Sequence, residues 1–332
     1  MIRIQRDSCA MFSHRMARMV LEGVLHSTPV QRTKILVERL RYCSPKVFRR
    51  SAGIGNEQIA RAIQAKRPAA AGKLGSTELQ CLRAYLRCKQ SKECVRKTAF
   101  YRRRLLEHSG VYPDDYETFS KWGDYWAREV LPGMTHMGVW FNFNESLIVR
   151  RYARNASVFD SYGLEPYIFP EPWSAQLAGK RVVVVSPFSK SIQRQYPLRD
   201  RIWRLKPKVL PDFELHTVRS PTYPHMVKPT FPGWFEALED MKRQVGDVQF
   251  DALLVGAGAY SLPLCVYAKS LGKVGIHLGG NTQLMFGILG RRWLVPNSSI
   301  DHRHFNDSWT YPLAEETPPG SDNWEEGHHY WK

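Results

Sequence analysis

Three short segments set acid–base and phosphate-compatible groups beside glycine turns. Lys73-Leu74-Gly75-Ser76-Thr77-Glu78 reads as a strand end, a turn and the first turn of a helix. A carboxylate at Glu78 suits Mg²⁺ or Mn²⁺ held against a diphosphate, because hard cations take oxygens from protein and phosphate together. Lys73 suits phosphate directly. A first-turn glutamate is equally what the helix dipole favours with no ligand at all. Ser186-Pro187-Phe188-Ser189-Lys190-Ser191 is a second strand end before a helix. The Ser189 and Ser191 hydroxyls with Lys190 suit a phosphate or a sugar hydroxyl, and proline and serine are also ordinary turn residues. The third segment, 251–293, holds two glycine turns, Gly256-Ala257-Gly258 and Gly279-Gly280-Asn281. Glycine lets a backbone approach a ligand closely, and free N–H groups at a helix start attract phosphate. His277, just before the second turn, is either a general base or ligand contact, or a buried ring satisfied by backbone.

These groups need a sheet to hold them. Leu253 to Val255 and Val274 to Leu278 read as strands flanking a helix that Ser261 is placed to cap and Gly272 to stop. Two parallel strands joined by a helix put both glycine turns at one carboxyl edge, where open α/β sheets bind ligands. Upstream, Ala69 to Gly75 reads as a short strand with its turn, followed by a helix carrying Leu79, Leu82 and Leu86 on one face. Met137 to Phe141, Lys180 to Val185 and Phe213 to Val218 read as further strands, and Trp234 to Gly246 as a helix. Strands alternating with helices predict a doubly wound, mostly parallel α/β sheet. The tail from about Asn297 is expected to wrap the surface.

Charge divides the chain. Residues 1–108 hold 24 Lys/Arg against 7 Asp/Glu, while residues 109–332 hold 24 of each, so the formal excess of +17 lies in the first third. Such a block suits anionic lipid, nucleic acid or an acidic partner, and equally a solvated helical extension. No zinc-finger, homeodomain or RNA-binding signature speaks for nucleic acid. Met11 to Leu25 is an amphipathic pattern that suits either a membrane surface or packing on the main domain. No apolar run approaches the ~20 residues needed to span a bilayer, and the N-terminal apolar stretch is too short for a secretory signal. The six cysteines form no C-x-x-C pair and read as reduced thiols of a cytosolic protein. A nicotinamide dinucleotide is disfavoured. Gly256-x-Gly258-x-x-Ser261 is an imperfect fingerprint, and no Asp or Glu falls between Asp251 and Asp301 to hold a ribose. Asp301-His302-Arg303-His304 and His328-His329 lack the companion ligands a metal site needs.

The segments KLGSTE (73–78), VVVVSPFSKSIQRQY (182–196) and VGAGAYSLPL…KVGIHLGGNTQLMFGILGRRW (255–293) resemble bacterial glycosyltransferases of the GT-D type, a group associated with surface-polysaccharide assembly. The resemblance covers roughly residues 68–331. It implies a Rossmann-like GT-D domain over 68–332, behind a basic helical extension over 1–67. It implies transfer of a sugar from a nucleoside-diphosphate sugar to a glycan or lipid-linked acceptor. Glu78 is then the metal or donor ligand. Read from the residues, Gly256 to Gly258 and Gly279, Gly280 and Asn281 are the expected donor cradle, Lys73, Gly75, Ser76, Ser189 and Ser191 are further expected donor contacts, and the base is unresolved with His277 as its candidate. The family's first turn carries an Asp-x-Glu pair that binds Mn²⁺ or Mg²⁺ with the diphosphate. Here Ser76 occupies the aspartate position, which leaves open a non-catalytic nucleotide- or glycan-binding subunit. The expected setting is cytoplasmic, peripheral to the inner membrane face through residues 1–108.

Overall fold

A computed structural model describes residues 29–42, 52–88, 93–221, 224–295, 298–321 and 330–332. Most of the expected basic extension, including Met11 to Leu25, lies outside them, as do Trp324, His328 and His329. Seven strands, β1 (Ala69–Lys73), β2 (His136–Val139), β3 (Ser157–Asp160), β4 (Arg181–Ser186), β5 (Glu214–Arg219), β6 (Ala252–Val255) and β7 (Val274–His277), form one sheet in the order β3-β2-β1-β7-β6-β4-β5. Every pairing is parallel. The principal helices are α1 (Pro29–Tyr42), α2 (Ala52–Gln64), α3 (Ser76–Cys88), α4 (Cys94–Ser109), α5 (Tyr116–Tyr125), α6 (Glu145–Tyr152), α7 (Ser189–Gln195), α8 (Trp234–Gly246), α9 (Ser261–Ser270) and α10 (Asn281–Met285).

Both faces of the sheet are buried, as parallel sheets require. Val183 and Val185 of β4 enter an upper core with Leu79 and Leu82 of α3 and Leu264 of α9. Val182 and Val184 enter a lower core with Ile59 of α2, Ile192 of α7 and Leu284 of α10. The winding changes face between the two central strands, because β1 leads up into α3 while β7 leads down into α10. Their carboxyl ends are neighbours in the sheet, with Ala71 opposite Ile276. A crevice opens at such a reversal, and open α/β sheets bind ligands there. Among the described residues no helix is long and apolar enough to cross a membrane.

Several local expectations need revision. Residues 52–64 fall within the expected extension over 1–67, yet α2 buries Ile59, Ala62 and Ile63 in the lower core. Asn56 ties α2 down, donating to the Glu171 carbonyl at 2.9 Å and accepting from the Trp173 N–H at 2.7 Å. The strand expected over 137–141 stops at Val139 because the chain turns through positive φ at Phe141 and Asn144. Ser261 does not cap α9. Its hydroxyl accepts the Ala257 N–H at 3.0 Å and so closes the first glycine turn instead. The tail does cover the body, with Trp309 and Trp331 buried in the lower core.

α9 lies so close to β7 that a Cβ added at Gly275 would sit 2.5 Å from Cys265 Cα and 2.7 Å from its carbonyl oxygen. Backbone cannot yield as a side chain can. Gly275→Ala should therefore destabilise the fold by about 1–3 kcal/mol, the usual cost of overpacking. Denaturant unfolding of the variant checks this, and an unchanged midpoint would mean that α9 and β7 are not in close contact.

Candidate active site at the carboxyl edge of the central strands

A cavity of about 720 Å³ opens at the face reversal. Lys73, Gly75, Ser76 and Glu78 line one part of it, and Gly256, Gly258, His277, Gly279, Gly280 and Asn281 another. The structure thus brings the first and third sequence segments together. It also adds residues that spacing did not reveal: Trp140, Tyr162, Glu165 and Arg292. Trp140 and Arg292 lay inside segments already read as strand or motif, but no periodicity marks a side chain that reaches the cavity from a loop.

Lys73 sits at the end of a strand otherwise made of alanine and glycine. Its side chain has the parity of Ala69 and Ala71, which enter the lower core. The ammonium is buried 4.3 Å from the centre of the Trp140 ring and 3.9 Å from Glu165 Oε1. The other oxygen of Glu165 accepts the Tyr167 hydroxyl at 2.9 Å. Burial pulls the Lys73 pKa down to about 8, the Glu165 carboxylate opposes that fall, and the Arg292 guanidinium adds to it. Arg292 lies 4.5 Å from the centre of the Trp293 ring and donates to the Tyr330 hydroxyl at 3.0 Å. Two cations therefore line the cavity beside aromatic planes.

Trp140 is held over Lys73 by a loop tied to buried carboxylates. Glu145 accepts N–H bonds from Trp140 at 3.1 Å and Asn142 at 2.9 Å. Glu38 of α1 accepts from the Asn144 and Ser146 amides at 2.8 and 3.0 Å. Burial drives the Glu145 carboxyl up to about 8, against the pull of the donated N–H bonds, and the nearby Glu38 charge adds to the rise.

Three of the expected roles change. Ser189 and Ser191 are not in the cavity. The start of α7 is closed by Glu316 of the tail, which accepts the Lys190 amide at 2.7 Å, the Ser191 amide at 3.1 Å and the Ser191 hydroxyl. Gly256 and Gly258 line the cavity but serve packing. A Cβ at Gly256 would meet Thr282 Oγ1 at 2.5 Å and the Gly279 carbonyl at 2.6 Å, so the two glycine turns interlock. At Gly258, where φ is +52°, it would meet the Ser109 carbonyl at 2.8 Å. His277 is unsuited to be the base. Burial and the Lys73 charge lower its pKa to about 3, and its Nδ1 accepts the Gly279 N–H at 3.2 Å. The neutral ring shapes the turn.

Glu78 does face the cavity, nearly buried, with its carboxylate folded back over Gly75 so that a Cβ there would run into it. Among the described residues no group of three or more His, Cys, Asp or Glu side chains converges on a point. The cavity's carboxylates are Glu78 and the Lys73-linked Glu165, and Ser76 cannot replace a charged ligand. The described residues supply no protein-borne cage of three or more such ligands. In the C-terminal His-rich segment, Arg303 pairs with Asp301 and His304 lies against Trp203. Compared with family models, curated proteins and solved structures, the chain matches none.

The depressed Lys73 pKa has a signed consequence. Below about 8 the buried ammonium is charged in both folded and unfolded chains, and the folded state bears the full desolvation cost. Between about 8 and the ordinary 10.5 the folded chain sheds this proton first, so the cost lifts as pH rises. The stability of the wild type relative to Lys73→Met should rise across that window by up to ~3 kcal/mol. Denaturant titrations at pH 7 and pH 10 test it, and a pH-independent difference would mean that the ammonium is not desolvated.

Proposed function

We propose that this chain is a glycosyltransferase of GT-D resemblance, moving a sugar from a nucleoside-diphosphate sugar to a glycan or lipid-linked acceptor. The observation that carries the reading is that Lys73 and Arg292, close enough for the Arg292 charge to lower the Lys73 pKa, both line a cavity at the face reversal of a parallel sheet. A diphosphate leaving group needs positive charge placed before the reaction begins, and fixed cations in a poorly solvated site supply it without reorganisation. In this reading Lys73 and Arg292 receive the diphosphate. Trp140 and Trp293 offer apolar planes to base or sugar rings. Glu78 takes the acceptor hydroxyl's proton as the glycosidic bond to the diphosphate breaks, a role for which His277 is too weakly basic. Residues 1–108 hold the enzyme near an anionic membrane face on the cytoplasmic side.

The Ser76 substitution at the family's aspartate position favours one rival, a binding subunit that holds a nucleotide sugar without turning it over. A panel of nucleotide sugars tested by thermal shift, followed by assay of donor hydrolysis, separates the two. The enzyme reading expects a donor that stabilises the wild type in EDTA as well as in Mn²⁺. Lys73→Met should weaken that donor at least tenfold, the effect of losing one charge-assisted contact of about 1.5–3 kcal/mol. Glu78→Gln should lower turnover about a hundredfold with donor affinity little changed. Binding without turnover in any protein would leave the subunit reading standing. Binding that appears with Mn²⁺ alone would return Glu78 to the role of metal ligand.

A further inference from the structure

A second depression adjoins the cavity. It measures about 580 Å³ and shares Ser76 and Asn142 as a common wall with the first. Four cations line it: Lys34 of α1, Arg83 and Arg87 of α3, and Lys97 of α4. Among the described residues no acidic side chain lines it. Lys97 is paired with Glu93 at 2.6 Å, but among the described residues Lys34, Arg83 and Arg87 form no ion pair with a carboxylate. Arg83 and Arg87 stand one helical turn apart, where like charges repel. Burial lowers the pKa of Arg83, and the Arg87 charge adds to that effect. The floor is aromatic. Phe143 is 39% exposed, with the Lys34 ammonium 5.5 Å and the Arg83 guanidinium 5.6 Å from its ring centre. Arg83 is also anchored, donating to the Phe143 carbonyl at 3.2 Å.

Three helices and a fixed loop thus converge four cations, of which Lys34, Arg83 and Arg87 form no ion pair among the described residues, although the Glu38 charge partly opposes the fall in the Arg83 pKa. Guanidinium forks match phosphate oxygens in pairs, and a partly desolvated setting strengthens each contact. We propose that this groove binds the phosphate-bearing end of an anionic acceptor, beside the cavity that takes the donor. The assignment of that anion as the acceptor rests on the transferase reading; the groove's affinity for phosphate does not. The shared wall at Ser76 and Asn142 makes the two sites neighbours, so an acceptor anchored by its phosphate presents its next hydroxyls toward the donor. Arg83 and Arg87 would then act in binding and leave the chemistry to the first cavity.

The test uses inorganic diphosphate and geranyl diphosphate as probes of the full chain by isothermal titration calorimetry. The wild type should bind two equivalents of inorganic diphosphate. Lys73→Met should retain the groove equivalent. The double variant Arg83→Gln/Arg87→Gln should lose that equivalent at least tenfold while UDP binding stays the same. Arg87→Gln alone, at an exposed position, guards against a folding artefact in the double variant and should weaken the same equivalent at least threefold. Tighter binding of geranyl diphosphate than of inorganic diphosphate identifies a lipid-borne phosphate, and equal binding a soluble phosphorylated acceptor. A single equivalent that vanishes in Lys73→Met, or groove variants that titrate like the wild type, would overturn the proposal. Loss of diphosphate binding in the groove variants of a chain that binds no UDP would keep the groove and defeat the donor reading.

Discussion

A charged ammonium buried at the end of β1, beside the middle strand of the sheet, is the constraint around which this fold is arranged. The Glu165 carboxylate 3.9 Å away opposes the fall in the Lys73 pKa that burial causes, and the Trp140 ring presents its face to the ammonium at 4.3 Å. Desolvating a cation costs several kcal/mol, and a pair at that separation recovers part of the cost. A ligand carrying negative charge would recover more. The alanines and glycine that precede Lys73 in β1 let α9 pack closely on the strand, so the lysine is the first long side chain the strand can place. It emerges where the winding changes face.

The supports of this cation are themselves polar and buried. Trp140 depends on a loop whose amides are collected by Glu145, while Glu38 collects the amides at the start of α6. Carboxyl groups that accept several N–H bonds tie this loop down, since leaving any partner unsatisfied in the interior is costly. The same loop carries Asn142 and Phe143 to the basic groove. One short segment after β2 therefore forms a wall of both depressions, and α1 is bound to it through Glu38. This gives part of the basic N-terminal region a definite structural place.

Much of this was legible in the residues. Glycine turns after apolar runs marked the strand ends, and the run Val182 to Val185 marked a strand buried on both faces. The first and third segments meet because parallel strands deliver their carboxyl ends to one edge. What periodicity could not show was where loops go. The start of α7 has the hydroxyls and amides of an anion site, yet Glu316 arrives from 125 residues away to fill it. Gly256 and Gly258 have the spacing of a phosphate cradle, yet their missing side chains make room for Thr282, the Gly279 carbonyl and the Ser109 carbonyl. His277 stands where a base is wanted, but its basicity was set by burial and by Lys73, neither of which its neighbours in sequence report. Conversely Glu165 and Arg292 gained their importance from lying near Lys73, a proximity created by the sheet order.

The central claim is that Lys73 is a desolvated cation waiting for an anionic ligand. The ¹³Cε resonance of Lys73, assigned by comparison with Lys73→Arg and titrated with pH in the presence and absence of UDP, tests it at the atom concerned. The account predicts an apparent pKa near 8 in the free protein, moving upward by roughly one unit or more when the nucleotide binds and supplies the missing counter-charge. An ordinary lysine titration that UDP leaves unmoved would contradict it.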